Sequence, residues 1–169
     1  MHGPRRLPCL LRRSLTVANS MKVRSQMQSR AHGSCLCGAV SFEAALPAKW
    51  VAHCHCSRCQ RAHGAAFVTW AGFRDGDVMV SDHQQTLGWY RETEASRGFC
   101  TACGSPMFFK SPMYPGELHV SRALFHGQLA QEPQAHAFFS SHVSWATLAD
   151  DLPIEPEPAW SKSSPGERA

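Results

Sequence analysis

The chain of 169 residues lacks any apolar run approaching the ~20 residues that are needed to span a bilayer. This absence argues against a membrane-spanning protein. The N-terminus also lacks the apolar core of a secretory signal, because Leu10 and Leu11 are followed at once by Arg12 and Arg13. Without a span or an export signal, we expect a soluble, cytoplasmic protein.

The first 30 residues lack acidic side chains altogether, although they contain seven basic ones. The remaining chain has 10 basic and 13 acidic residues, a net charge of −3. It therefore lacks the basic surface of a nucleic-acid-binding domain, and nucleic acid is not an expected partner. We interpret residues 1–30 as a disordered basic leader, either a transit or anchoring peptide or an over-long gene start with translation beginning at Met21 or Met27. Cys9 lies in this segment and is assigned no role.

Long helical patterns and internal repeats are also missing. Short apolar segments bounded by turns predict strands at residues 66–73, 78–80, 87–91, 107–110, 117–120 and 136–140. Short helical turns are expected only at residues 57–63 and 145–150. The sequence thus predicts one mainly β domain over residues 31–156, a small antiparallel fold stapled by zinc, with one or two short helical turns. A disordered tail is expected at residues 157–169.

What the chain does contain is clustered cysteine. Seven of its eight cysteines form three groups: Cys35 and Cys37; Cys54, Cys56 and Cys59; and Cys100 and Cys103. In a chain without an export signal such groups favour metal over disulfides, and the odd group of three argues further against a disulfide scaffold. Seven thiols are one short of two complete four-sulfur sites. The count therefore predicts one closed zinc site and one site with an open position.

The pair Cys100 and Cys103, followed by Gly104, is a typical half-site for zinc. Pairing it with the first group closes a four-thiolate site, whereas the other divisions leave a stray thiol or a mismatched set. Loss of metal from this site should unfold the domain, because the staple substitutes for core. We expect two zinc ions per chain, a structural one at Cys35, Cys37, Cys100 and Cys103 and a catalytic one at Cys54, Cys56 and Cys59.

The side chains around the group of three suggest what the open position could hold. Its fourth ligand could be water, a histidine or a substrate thiolate, and a thiol that binds there loses its proton. Arg58 and Arg61 could offset the negative charge of three thiolates and hold a substrate carboxylate in a bidentate contact. His53, His55 and His63 flank the group, and ligation by any of them would make the site structural. We expect the ring of His55 to point away from the metal.

Three motifs together resemble the glutathione-dependent formaldehyde-activating enzyme family, which shares its domain with centromere protein V. They are GSCLCGAV at residues 33–40, CHCSRCQR at 54–61 and RGFCTACGS at 97–105, with a weaker echo at 133–136, 145 and 151–153. Gln60 departs from the Arg-Arg pair often seen after the third cysteine of the family. The resemblance implies a β-tent fold, similar to that of a Rab exchange-factor-like chaperone, and glutathione bound at the three-cysteine zinc.

The activity implied by the resemblance is formation or cleavage of S-hydroxymethylglutathione, a carbon–sulfur lyase reaction. In this hypothesis a small thiol such as glutathione is held as thiolate at Cys54, Cys56 and Cys59 and attacks formaldehyde or another small aldehyde. The product is a hemithioacetal. Proton transfer to the new alkoxide is assigned to His55, His63 or water.

Two other functions stay open from the sequence. A non-enzymatic zinc-binding interaction module would bind a protein or nucleic-acid partner, with the basic leader as an electrostatic arm. Metal buffering or redox sensing by labile thiolates is the third possibility. Deletion of residues 1–26 separates the first two functions, because an enzyme should keep its activity while a binding module should lose its partner.

Overall fold

The structure is a computed structural model that describes residues 29–127 and 129–156. Cys9, the tail predicted at residues 157–169 and all but the last two residues of the predicted leader lie outside the described residues. The described part contains one α-helix, α1 (Ser57–His63), and ten strands. The strands are β1 (Arg30–Ser34), β2 (Ser41–Ala45), β3 (Trp50–Cys54), β4 (Val68–Arg74), β5 (Val78–Ser81), β6 (Leu87–Glu92), β7 (Ala95–Cys100), β8 (Pro106–Lys110), β9 (Glu117–Ser121) and β10 (His136–Ala137).

The strands form two sheets. The smaller has the order β1-β2-β5, and the larger has the order β10-β3-β4-β9-β8-β7-β6. The pairs are antiparallel except that β10 runs parallel to β3. The prediction of a mainly β, antiparallel domain with a short helix is therefore confirmed.

The main core lies between the two sheets. Phe42 of β2 packs against Phe108 of β8 edge to face, with ring centroids 5.8 Å apart. The ring centroid of Phe42 also lies 5.0 Å from that of Phe125. Both Phe42 and Phe108 are fully buried, as are Phe73 and Met107. Truncating a buried phenylalanine to alanine costs about 3–5 kcal/mol, so these rings account for much of the packing between the sheets.

Gly72 of β4 is required by close packing inside the larger sheet. A Cβ at this position would lie 2.2 Å from Cε2 of Trp50, which covers the glycine from β3. The indole is held in place by its Nε1, which donates a hydrogen bond to Glu117 Oε2 at 3.2 Å. By contrast, a Cβ at Gly76, in the turn after β4, would meet nothing within 4 Å.

The loop between β5 and β6 is held by one carboxylate. Asp82 accepts hydrogen bonds from the backbone N–H groups of Thr86 and Leu87, each at 2.8 Å. These hydrogen bonds lower the pKa of Asp82 below its ordinary value. The ionised carboxylate therefore fixes the start of β6.

Most predicted elements occur where the sequence indicated, and two differ. The predicted strands at 66–73, 78–80, 87–91, 107–110 and 117–120 appear as β4, β5, β6, β8 and β9, and the helix at 57–63 appears as α1. The helical turn predicted at 145–150 is wrong, because this segment is irregular and the Asp150 side chain caps the N–H of Leu152 instead. The strand predicted at 136–140 ends after two residues, since Phe138 has a left-handed φ of 55°.

Candidate metal centres and adjoining cleft

The four-cysteine cluster consists of Cys35, Cys37, Cys100 and Cys103. Its sulfur atoms all lie within 4.8 Å of one another, although the two pairs come from distant parts of the chain. Cys35 Sγ lies 3.6 Å from Cys37 Sγ, which lies 3.8 Å from Cys100 Sγ. Tetrahedral zinc with Zn–S bonds of about 2.3 Å requires sulfur–sulfur separations of about 3.8 Å. The donor set and its spacing fit a closed zinc site.

Two glycines let the chain reverse around this cluster. Gly38 and Gly104 have φ angles of 78° and 74°, in the left-handed region that favours glycine. Their N–H groups donate to Cys35 O at 3.1 Å and Cys100 O at 2.8 Å, respectively. Each turn thereby brings the two sulfurs of its pair to one side.

Ser105 connects the two halves of the four-cysteine cluster. Its hydroxyl accepts a hydrogen bond from the N–H of Leu36 at 3.0 Å and lies 3.2 Å from Cys103 Sγ. Hydrogen bonds from the side chain and backbone of Ser105 lower the pKa of Cys103 to about 5. The pKa of Cys37 is raised to about 11, because the neighbouring thiols outweigh the lowering by the backbone of Ala39. Metal binding here must release protons, so affinity falls on acidification.

The three-cysteine cluster consists of Cys54, Cys56 and Cys59, whose sulfur atoms also lie within 4.8 Å of one another. Cys54 ends β3, Cys56 is the N-cap of α1, and Cys59 is buried in the first turn of the helix. The cap itself brings two thiols together, because Cys56 Sγ accepts from the N–H of Cys59 at 3.3 Å. Gly64 ends the helix with a φ of 58°. Within the described ranges no histidine belongs to this donor group, so it fits a zinc site with an open position.

The three thiols of this cluster differ in the direction in which their pKa values are shifted. The pKa of Cys59 lies well below its ordinary value because the thiols of Cys54 and Cys56 hydrogen bond to its sulfur, with a further contribution from Arg97. The pKa of Cys54 lies well above its ordinary value, since it is hydrogen-bonded to the other two sulfurs and is buried. Cys59 is therefore the sulfur that carries negative charge most readily.

The histidines that flank the cluster have other contacts. His55 is only 2% exposed, and its Nε2 lies 2.9 Å from Nδ1 of His136. Burial, with the nearby His136, lowers the pKa of His55 to about 4, so the ring is neutral at physiological pH. His53 Nδ1 lies 2.8 Å from Thr69 Oγ1, and the ring of His63 packs edge-on against another aromatic side chain.

The two arginines predicted to bind substrate are placed differently from each other. Arg58 forms ion pairs with Glu92 and, at 3.0 Å, with Glu94. Arg61 is exposed near the end of α1. The structure therefore leaves Arg61 accessible and engages Arg58 with acidic partners on the β6–β7 hairpin.

The cation that contacts the three-cysteine cluster is Arg97 of β7, to which the sequence analysis gave no role. Its Nη1 donates to Cys59 Sγ at 3.8 Å, its Nε lies 3.4 Å from Glu92 Oε1, and its guanidinium lies 5.1 Å from the ring centroid of Phe109. The signal in the sequence was its place at the start of the third motif, RGFCTACGS at residues 97–105. Nothing in the spacing connects it to a cysteine 38 residues away.

Arg97 and the last turn of α1 also border an open cleft of about 230 Å³, which we call the α1–β7 cleft. Arg97 lines it from β7 and His63 from the last turn of α1. His63 lies four residues after Cys59, on the same face of the helix. A second hollow of about 330 Å³, lined by Thr69 and Arg122 among others, also includes His63. His63 is therefore exposed to ligand-sized spaces on both sides, whereas His55 is not.

The wall behind the three-cysteine cluster is apolar. It is formed by the buried Val68 and Trp70 and by the partly buried Trp50, Phe109 and Phe138. Such surroundings lower the local dielectric and strengthen the interaction between a thiolate and a nearby guanidinium. The cluster thus has an apolar wall and, on the side of Arg97, a charged contact that leads into the cleft.

These observations define the class of protein: it is a mainly β domain that carries two cysteine groups able to hold metal. A sequence model of the glutathione-dependent formaldehyde-activating enzymes matches residues 30–141, and the chain belongs to this family. A curated Halomonas elongata protein, named provisionally as a glutathione-dependent formaldehyde-activating enzyme, is 24% identical over 124 residues, 69% of this chain and 79% of its own length. The crystal structure of a Rhodobacter sphaeroides protein is similar with a TM-score of 0.50 and 29% identity, covering 59% of this chain and 91% of that one.

The helix in the described residues is too short to cross a membrane, and no other candidate span occurs there.

Proposed function

We propose that this chain is a zinc-dependent carbon–sulfur lyase that forms or cleaves a small thiol–aldehyde adduct of the S-hydroxymethylglutathione type. The observation that carries the proposal is a group of three thiols without a histidine among its donors, one of which contacts Arg97, a cation that lines the α1–β7 cleft together with His63. Zinc held by Cys54, Cys56 and Cys59 would supply a Lewis acid with one open position, at which a thiol loses its proton.

The reaction balances without a redox partner. The sulfur lone pair of the thiolate forms a bond to the carbonyl carbon of the aldehyde, and the carbonyl π electrons move to oxygen. The resulting alkoxide takes up one proton, which equals the proton that the thiol lost. Cleavage runs through the same steps in reverse, so one site serves both directions.

The side chains around the cluster have separate roles in this proposal. Arg97 offsets the excess negative charge of the three thiolates, because its guanidinium already contacts Cys59. His63 is the better placed of the two predicted proton carriers, since it lines the α1–β7 cleft while His55 is buried elsewhere. Arg61 is available for a substrate carboxylate. Arg58 acts through Glu92, which it shares with Arg97.

The test is to measure the exchange between glutathione and S-hydroxymethylglutathione in the presence of formaldehyde by NMR exchange spectroscopy. The zinc-loaded chain should accelerate this exchange above the uncatalysed rate. A Cys56→Ser variant should fall to the uncatalysed rate, whereas Cys9→Ser, which changes a cysteine outside both clusters, should match the wild type. If a chain that holds two zinc ions leaves the exchange at its uncatalysed rate, the result would contradict the proposal and favour the non-enzymatic interaction module.

A further inference from the structure

His55 lies between two thiols of the three-cysteine cluster and is held at three points. Its N–H donates to Ala137 O at 2.9 Å. Its carbonyl accepts from Gln60 Nε2 at 2.7 Å, and its ring Nε2 lies 2.9 Å from His136 Nδ1. Cys54 and Cys56 flank His55 in the chain, so these contacts restrain the backbone segment that carries both cysteines.

The ring contact continues to a carboxylate. His136 Nε2 lies 2.8 Å from Asp150 Oδ1. A carboxylate accepts hydrogen bonds, so Nε2 of His136 carries a proton towards Asp150. Of the two facing nitrogens, Nδ1 of His136 and Nε2 of His55, one donates to the other. Asp150, His136 and His55 thus form a continuous chain of hydrogen bonds that ends on the carboxylate.

The two imidazole rings leave little room for water between them, whereas Asp150 lies at the exposed outer end of the chain of bonds. His55 is 2% exposed and His136 is 3% exposed, and the ring of Phe139 packs against both. A buried donor that loses its partner pays the full cost of desolvation, so breaking one bond disturbs the next. This chain of hydrogen bonds therefore connects Asp150 to the backbone segment that carries Cys54 and Cys56.

The segment that supplies Asp150 folds back over β10. The N–H of His136 donates to Pro153 O at 2.8 Å, and the N–H of Glu155 donates to His136 O at 2.9 Å. Gln60 also donates to Ser141 O at 2.9 Å, which ties α1 to the same part of the chain. The family match ends at residue 141, so Asp150 contributes from beyond the matched region.

We propose that Asp150 and His136 are positioning residues for the three-cysteine metal site. Through the ring of His55 they hold Cys54 and Cys56 at the separation that a single ion requires. The inference rests on the zinc site of the proposed function and not on the carbon–sulfur chemistry. The four-cysteine cluster is built by the β1–β2 and β7–β8 turns, so it does not depend on this chain of bonds.

The experiment compares zinc release to a chromogenic chelator in the full chain and in three variants. Asp150→Ala removes the acceptor, Asp150→Asn keeps an acceptor oxygen, and Asp151→Ala changes an exposed neighbour in the same segment. The release phase that is absent from Cys56→Ser identifies the three-cysteine cluster. The four-cysteine phase and the melting temperature serve as internal controls of folding.

Asp150→Ala should accelerate release from the three-cysteine cluster on the order of tenfold, the lower end of the effect of outer partners on metal sites. Asp150→Asn should restore most of the wild-type rate, Asp151→Ala should leave it unchanged, and the four-cysteine phase should not move. Nitrogen-15 spectra of the histidine rings should show the fixed tautomers of His55 and His136 in the wild type and their loss in Asp150→Ala.

Unchanged release in Asp150→Ala, or equal acceleration of both phases, would overturn the inference. If Asp150→Ala does not fold, His136→Phe gives the same test, because it keeps an aromatic ring and removes both hydrogen bonds. The lyase activity of the wild type is measured separately. Altered zinc release in an inactive protein would refute the proposed function alone, whereas an active protein with unaltered release would refute the positioning role alone.

Discussion

Removal of metal from the four-cysteine cluster should cost a large part of the stability of the domain. The bound ion would connect Cys37 to Cys100, which are 63 residues apart. If a zinc staple restricts the unfolded chain as a disulfide does, closing a loop of this length contributes about 4 kcal/mol. Whole domains are stable by about 5–15 kcal/mol, so the staple amounts to a quarter or more of the total.

The assay is thermal unfolding of the zinc-loaded wild type, the chelator-treated wild type, Cys37→Ser and the control Cys9→Ser. At about 4 °C per kcal/mol for a domain of this size, chelation and Cys37→Ser should each lower the melting temperature by about 15 °C. Chelation should lower the melting temperature of Cys37→Ser by much less than that of the wild type, since the variant has already lost the staple and only the ion of the three-cysteine cluster remains to be removed. A Cys37→Ser variant that melts within two or three degrees of Cys9→Ser, roughly the effect of an ordinary surface substitution, would refute the reasoning.

Three further perturbations test other parts of the structure. Arg97→Gln should reduce the lyase efficiency measured by NMR exchange on the order of 10- to 100-fold, which corresponds to the free energy of a hydrogen bond to a charged group. Arg91→Gln, on the same hairpin, should have no effect. Asp82→Asn should lower the melting temperature at pH 7. Because folding depresses the pKa of this carboxyl from 3.8, its stabilisation is present above that value and disappears as pH falls through the folded pKa, so the two proteins should converge in acid. Gly72→Ala should destabilise the domain to urea by about 1–3 kcal/mol, because its Cβ would overlap an indole, and Gly76→Ala should be neutral.

Each of these predictions has a clear contrary result. Equal loss of activity in both arginine variants would mean that general surface charge, and not the contact with the thiols, controls the reaction. A constant melting difference for Asp82→Asn across the acid range would show that the carboxylate charge is irrelevant. A neutral Gly72→Ala would mean that the indole can move aside without cost.

The strands that could be predicted are those whose residues alternate or are β-branched and aromatic. Strands β1, β2, β3 and β7 lie outside the predicted ranges, and β3 and β7 show why. β7 has the sequence ASRGFC, which has little intrinsic strand preference, and it is extended because β6 and β8 pair with it on both sides. Strand β3 overlaps the cysteine motif, whose polar and sulfur residues obscure the pattern. Tertiary pairing, which no local window reports, determines both strands.

The grouping of thiols could be inferred because zinc chemistry restricts how seven sulfurs divide. The partners of those thiols could not be inferred in the same way. Arg97 reaches Cys59 across 38 residues, and His55 reaches Asp150 only through a second histidine. These contacts follow from the register of the strands and the direction of side chains, which are properties of the folded sheet. The sequence instead indicated Arg58 and Arg61, the arginines nearest to the cluster in the chain.

Strand β7 carries Arg97 and, three residues later, Cys100, so one element serves both clusters. Three residues of extended chain span about 10 Å, a length over which a paired strand behaves as a rigid arm. Without metal in the four-cysteine cluster, Cys100 at the end of β7 is no longer held by an ion. The guanidinium of Arg97, on the same strand, then loses its fixed position beside Cys59. Metal loading should therefore follow an order. An ion bound at Cys35, Cys37, Cys100 and Cys103 would fix the strand for binding of a second ion at Cys54, Cys56 and Cys59, so partial zinc loading should fill the four-cysteine cluster first.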